Sequence, residues 1–442
     1  MLPPILFGVI LFAIILFAYS LVSRRLEGSV VTAPMIFVAA GILLSPYGFD
    51  ILALNASSGL ILVFAEIALV LVLFSDAARI NFRVLKGNSE LPARLLIIGL
   101  PLTIFAGAVI AIPLFTSIQL PEAALIGAIL APTDASLGQA IVNSKKVPVR
   151  IRQALNVESG LNDGGAIPFF AFFLILAQAE TGTISAGSWI LFALEQIVLG
   201  ILMGAIVGFL GGYLVNQAIR KGLMTGKYRW IGFLALALIS FIAADAVGGS
   251  GFIAAFVGGL ATTLTGRGVG DSMIEFTETG GQIFSLGVFF IFGLIAASLL
   301  PGIDALVIVY AVLSLTIIRM VPVAISLAGT RLSRSTVGFL GWFGPRGLAS
   351  IVLMLIVLDE APDLPGLSTI SVVVTATVLI SVFAHGLSAA PFINRYAGKI
   401  EGLPLDAPER VEVAELPTRW MRSPLTQGAE GKVTGESHHP RS

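Results

Sequence analysis

The sequence predicts an all-α membrane protein of about thirteen transmembrane helices, an inverted-repeat fold with helices five and twelve interrupted. Three observations predict it. The 442 residues are 56% hydrophobic and only 12% charged, with a mean hydropathy of +0.97, whereas a soluble domain carries roughly 25% charged residues. Among the loops between apolar runs, Lys and Arg occur only in alternate ones. Two apolar runs are broken by proline at corresponding places in the two halves of the chain.

A span needs about 20 mostly apolar residues. The runs that qualify are 2–22, 31–44, 59–74, 95–114, 121–142, 155–177, 189–215, 230–246, 251–264, 282–299, 305–325, 339–357 and 369–393, the second and ninth being short. The first lacks a basic leading segment and precedes Arg24 and Arg25, so it reads as a span rather than a cleaved leader. Loops after odd-numbered runs hold Arg24 and Arg25; Arg79, Arg83, Lys86 and Arg94; Lys145, Lys146, Arg150 and Arg152; Arg220, Lys221, Lys227 and Arg229; Arg267; and Arg331 and Arg334. Loops after even-numbered runs hold no Lys or Arg. The positive-inside rule then puts the amino terminus outside and the carboxyl terminus in the cytoplasm. Residues 1–396 form the membrane domain, and the polar segment 397–442 reads as disordered cytoplasmic tail.

Composition excludes several functions. Zero net charge gives no electrostatic case for nucleic acid. There is no cysteine, and two of three histidines, His438 and His439, lie in the tail, which leaves no Cys or His metal centre and no cofactor. No phosphate-binding loop occurs and no lysine lies in a span, which argues against a primary pump, and the hydropathy excludes a soluble enzyme.

Charge left inside the apolar runs is costly, about 2.5–3.5 kcal/mol at a helix centre on insertion scales. It comprises Arg319 and Arg346, with Glu66, Asp134, Glu158, Asp163, Glu195 and, near a helix end, Asp245. The fifth run contains Ala131-Pro132-Thr133-Asp134. Proline frees backbone carbonyls, and irregular backbone at membrane depth is tolerated where it lines a cavity. Thr133 can therefore offer oxygen to a cation. A plain proline kink, with Asp134 capping the second half-helix, accounts for the same residues. The sixth run opens with Glu158-Ser159-Gly160-Leu161-Asn162-Asp163. Helical spacing puts Glu158 with Asn162, and Ser159 with Asp163, on adjacent stripes. This wall of oxygen donors suits a hard monovalent cation, with Asp163, Thr133 and Ser159 as metal-ligating candidates. A polar helix start near the cytoplasmic surface is the alternative, and it explains Glu158 better than Asp163. The twelfth run holds Gly344-Pro345-Arg346-Gly347. Arg346 is placed to neutralise carbonyl ends and a buried carboxylate. Gly200, Gly204 and Gly208 form a stripe for close helix packing. His385 reads as a hydrogen-bonded side chain or a titrating one, and Asp76 reads as solvated at a helix end.

Pro132-Thr133-Asp134, Glu158-Ser159 with Asn162-Asp163, Gly344-Pro345-Arg346-Gly347 and Ala384-His385-Gly386 resemble the NhaP-type bacterial Na⁺/H⁺ antiporters of the monovalent cation:proton antiporter family. The resemblance covers most of the chain. It implies a homodimer in the bacterial inner membrane, with interface helices at 2–74 and 189–299 and a moving core at 95–177 and 305–393. It implies an ion site of Thr133, Asp134, Glu158, Ser159, Asn162 and Asp163, in which Glu158 pairs with a core arginine, Arg346 before Arg319. Proline before Arg346 departs from the Leu of many relatives. The Asn162-Asp163 pair, where electrogenic relatives have two aspartates, implies electroneutral exchange. The expected function is exchange of Na⁺ or Li⁺ for H⁺, serving Na⁺ extrusion and pH homeostasis. K⁺/H⁺ exchange is the first alternative. An ion channel is less apt, because the buried charges concentrate in a few helices.

Overall fold

The computed structural model describes residues 4–26, 29–53, 59–80, 89–134, 136–179, 186–265, 271–404 and 406–411. These residues form α1 (Pro4–Leu26), α2 (Ala33–Leu44), α3 (Gly59–Ala78), α4 (Glu90–Leu114), α5 (Leu120–Leu130), α6 (Gln139–Val142), α7 (Val149–Ala179), α8 (Ala186–Arg220), α9 (Gly226–Asp245) and α10 (Gly251–Thr262). They continue as α11 (Asp271–Leu299), α12 (Ala305–Ser326), α13 (Arg334–Trp342), α14 (Leu348–Glu360) and α15 (Leu367–Glu401). Among the described residues the fold is all-helical, and nine helices are long and apolar enough to cross a membrane. The other apolar runs form shorter helices: α2, α5, α10 and the consecutive pair α13 and α14. The helices stop where local chemistry requires. α5 ends at Leu130, two residues before Pro132, which has no backbone N–H to continue the helical ladder. α13 ends at Trp342, before Gly344-Pro345, and helix resumes at Leu348.

The helices pack in two groups. In one, α10 lies against α3, α8 and α9, while α11 crosses α2 and α3. In the other, α5 contacts α4, α7 and α15, and α12 contacts α13 and α15. α7 touches both, reaching α3, α8 and α10 on one side. Small residues make the close crossings possible. A Cβ on Gly204 would stand 2.5 Å from the Ala254 carbonyl oxygen, and one on Gly208 would be 2.2 Å from that of Gly258. The glycine stripe of α8 is thus its contact face with α10.

Several boundaries differ from the sequence reading, α11 for instance starting at Asp271 rather than 282, and two of them bring charged residues into the fold. α7 begins at Val149 rather than near 155, so Arg150 and Arg152 belong to its first turn. Arg152 is buried because its guanidinium donates to the Val147 and Val142 carbonyls, the latter at the end of α6. Cations are favoured at such unsatisfied carbonyl ends. At the other end, α15 runs past 396 to Glu401, and the chain folds back through a short turn at Pro408–Arg410. Glu409 there is buried, and Ser333 N–H and the Thr336 hydroxyl both donate to its Oε1, at 2.7 and 2.8 Å. The ordered domain therefore extends into the expected tail, where Glu409 braces Ser333, the N-cap residue of α13. Residues 412–442, with His438 and His439, and the loop residues Arg83, Lys86 and Arg267, lie outside the described residues.

Candidate functional site

The two proline-containing stretches, 131–138 and 343–347, face each other. The Asp134 amide donates to the Pro345 carbonyl at 2.7 Å. The Asp134 carboxylate accepts the Leu348 N–H through Oδ2 at 2.9 Å and the Ser136 N–H and hydroxyl through Oδ1. Asp134 thus caps α14, and not a second half of its own helix. Gly347 makes the approach possible: a Cβ there would be 2.2 Å from Asp134 Oδ2. Exposed amides at a helix start favour an anionic partner, so a carboxylate from α5's broken end is a suitable cap. Ser350 then ties α14 to the last turn of α5, donating to the Ile129 carbonyl.

α7 supplies the remaining donors. Asn162 Nδ2 donates to Thr133 Oγ1 at 2.5 Å, joining α7 to the break after α5. Asn162 Oδ1 is buried with no hydrogen-bond partner. One turn earlier, Glu158 pairs with Arg319 of α12 at 2.5 Å, both side chains no more than 3% exposed. The pairing with Arg346 favoured from sequence is therefore corrected to Arg319. The reason is steric and local. Gly344 has no side chain, and a Cβ there would be 2.6 Å from Arg319 Nε, so the guanidinium passes beside it. Arg346, fully buried, donates instead to the Gly344 and Ala131 carbonyls, which are left without helical partners at the two breaks.

Ser159 is half-buried and its hydroxyl donates to the Leu155 carbonyl of its own helix. Asp163 is 6% exposed. Its helical neighbours face the other packing group: Gly160 abuts Asp76 of α3, and Gly164 lies under the Phe256 ring of α10. Asp163 thus stands where α7 meets α3 and α10.

Four buried acids escaped the sequence reading: Asp76, Glu122, Glu278 and Glu409. Asp76, expected to be solvated, is 6% exposed against Gly160. Glu122, 1% exposed, accepts from the Gln119 and Gly366 amides and so caps both α5 and α15. The Gln-x-x-Glu spacing of a capping box was the available signal for Glu122. Nothing in the sequence around Asp76 announces the glycine that covers it.

A helical membrane fold with two facing breaks and a lattice of buried carboxylates, amides and guanidinium groups between them belongs to the class of transmembrane ion exchangers. The chain is a member of the sodium/hydrogen exchanger family: the transmembrane family of that description matches residues 11–395. The chain is 31% identical over 294 residues to the Na⁺/H⁺ antiporter NhaP of Pseudomonas aeruginosa, covering 62% of this chain and 66% of that one. It is 26% identical over 360 residues to the K⁺/H⁺ antiporter NhaP2 of Shewanella baltica, covering 80% and 60%. An Na⁺/H⁺ antiporter of Schizosaccharomyces pombe matches at 34% over 110 residues, 24% of each chain. The matched stretches thus span between a quarter and about two thirds of these relatives. The fold is that of the sodium proton antiporter MjNhaP1 of Methanocaldococcus jannaschii, with a TM-score of 0.72 at 18% identity, over 86% of this chain and 99% of that one.

Proposed function

We propose that this protein is a secondary active transporter that exchanges Na⁺ or Li⁺ for H⁺ across a bacterial inner membrane, one for one, and serves Na⁺ extrusion and pH homeostasis. The observation that carries the reading is a buried carboxylate, Asp163, at the seam between the two packing groups, beside a framework in which Asp134 and Glu158 hold helices together. Asp134 holds Leu348 and Ser136, and Glu158 holds Arg319. Taking up and releasing a proton at either would break bonds that hold the helices together. We assign exchange to Asp163 from its place at the seam where α7 meets α3 and α10, with Thr133, Asn162 and Ser159 offering neutral oxygens to a hard cation. Na⁺ and H⁺ are the substrates, and the mechanism needs no resident cofactor or enzymatic step.

In this reading thirteen membrane crossings are made, with α5 and α6, and α13 and α14, each counting as one interrupted span. The amino terminus is outside and the carboxyl terminus in the cytoplasm. α4–α7 and α12–α15 form the moving core, and α1–α3 with α8–α11 form the homodimer side. The seam at Asp163, where α7 meets α3 and α10, supports this division, because it is where a moving core would open to water. K⁺ in place of Na⁺ is the second reading, favoured by the naming of the Shewanella relative as a K⁺/H⁺ antiporter.

The test is Asp163→Asn in proteoliposomes with a preset pH gradient. The parent dissipates the gradient on addition of Na⁺, and the variant does not. Retained Na⁺-driven proton flux in the variant would remove Asp163 from the exchange role, and uncoupled current in the parent would make the protein a channel.

A further inference from the structure

We propose that His385 of α15 is a positioning residue that buckles the break between α13 and α14. This deepens the antiport reading and rests on it for the transport consequence.

The break leaves several backbone groups outside any helix. Leu348 N–H goes to Asp134, the Pro345 carbonyl takes the Asp134 amide, the Gly344 carbonyl takes Arg346, and the Gly344 amide turns back to the Trp342 carbonyl. Two further bonds reach α15. His385 Nε2 lies 2.8 Å from the Trp342 carbonyl oxygen, the last residue of α13. The Arg346 amide donates to Ser381 Oγ at 2.6 Å. Ser381 Oγ is in turn 3.2 Å from His385 Nδ1, which also lies 3.0 Å from the Ser381 carbonyl. The partners assign the tautomer. In the neutral ring, Nε2, which faces only a carbonyl, carries the hydrogen, and Nδ1, which has a hydroxyl within reach as well as a carbonyl, accepts from Ser381 Oγ–H, whose oxygen in turn accepts the Arg346 amide. One imidazole and one hydroxyl, four residues apart on a single helix face, therefore hold both sides of the interruption.

Packing keeps the ring in place. It stacks on Trp342 with centroids 5.1 Å apart, and the Trp342 indole N–H donates to Ser388 of the same α15. His385 is 1% exposed, so these bonds do not compete with water. Asp134 holds the opposite flank, and the cation ligand Thr133 adjoins it. A break that loses its α15 buckle leaves Asp134 and Thr133 attached to a looser loop. The defect belongs in cation affinity rather than in the turnover of a loaded carrier.

The experiment compares the parent with His385→Gln, His385→Asn and Ser381→Ala. A Gln amide nitrogen takes the position of Nε2 and can donate to Trp342, whereas Asn is too short to reach it. Two readouts are taken: hydrogen exchange of the 343–348 amides in detergent, and apparent KM for Na⁺ against maximal rate in proteoliposomes. His385→Asn and Ser381→Ala are expected to speed exchange at the Arg346 amide and to raise KM about three- to tenfold, the worth of one net hydrogen bond. Their maximal rates stay within about twofold. His385→Gln retains the parental KM. Parental exchange and KM in His385→Asn would overturn the proposal, and so would a His385→Gln as impaired as His385→Asn, which would leave only ring packing. Should the parent show no Na⁺-driven flux, the antiport reading falls by itself, and hydrogen exchange alone decides the buckle.

Discussion

Replacing Glu158 by Gln removes the charge that faces Arg319 while leaving the guanidinium sealed at 2% exposure. Breaking a buried pair from one side costs about 3–5 kcal/mol, because a charge remains without its counter-ion. Gln keeps one carbonyl oxygen, so the lower end of that range applies. Removing both charges is different: a hydrophobic replacement of a buried pair is often neutral or stabilising. Glu158→Gln is therefore expected to lower the thermal midpoint of the detergent-solubilised protein clearly, and Glu158→Gln combined with Arg319→Met to recover most of it. Combination with Arg346→Met is expected to fall further, since the Ala131 and Gly344 carbonyls then lose their donor. The assay is thermal unfolding followed by fluorescence-detected size exclusion on the four proteins. Recovery by Arg346→Met instead of Arg319→Met would refute the assignment and return Glu158 to the other arginine.

Other outcomes follow from the same geometry. Thr133→Val deletes the acceptor of Asn162, a bond worth about 1 kcal/mol, and is expected to raise the apparent KM for Na⁺ roughly fivefold, measured as gradient dissipation over a Na⁺ series; an unchanged KM removes Thr133 from the ion's ligands. Glu409 gives a pH effect of definite sign. Burial alone would raise its carboxyl, but the Ser333 N–H and the Thr336 hydroxyl outweigh burial and hold it below the usual carboxylate range. A lowered folded value stabilises above the unfolded value, about 4.3, and the contribution is lost as pH falls through the folded value. The contact of Glu409 with the start of α13 is thus expected to hold at neutral pH and to open only in acid, as pH falls through the lowered folded value. Hydrogen exchange at Ser333, corrected for its intrinsic pH dependence, reads this, and Glu409→Gln abolishes the acid-induced change.

Local chemistry was legible in the sequence, and long-range choice was not. Pro132 and the Gly344-Pro345 pair carry their meaning in their own backbone, and they lie where helices stop at Leu130 and Trp342. The apolar runs likewise fall on the helices. The partner of Glu158 was unreadable, because Arg319 and Arg346 are equally apolar in setting and both distant in sequence. The choice was made by the space beside Gly344. Asp76 looked solvated because hydropathy at a helix end carries no information on which neighbour covers it. Glu409 sits in a polar stretch whose composition matches disorder, yet its bonds to Ser333 and Thr336, with Arg150 donating to the Pro408 carbonyl, dock it.

The central claim, one cation for one proton at a single alternating carboxylate, is tested most directly by voltage. A membrane potential acts on moved charge at about 2.3 kcal/mol per unit charge per 100 mV. With Asp134 and Glu158 fixed by their partners, the core carries the same net charge in both directions, and the potential has nothing to act on. Na⁺-driven proton flux in proteoliposomes is measured with the potential clamped to zero by K⁺ and valinomycin, and again at an imposed potential of each sign. The account predicts equal rates in all three; rates that scale with the potential would contradict it and make Asp134 a second titrating carboxylate.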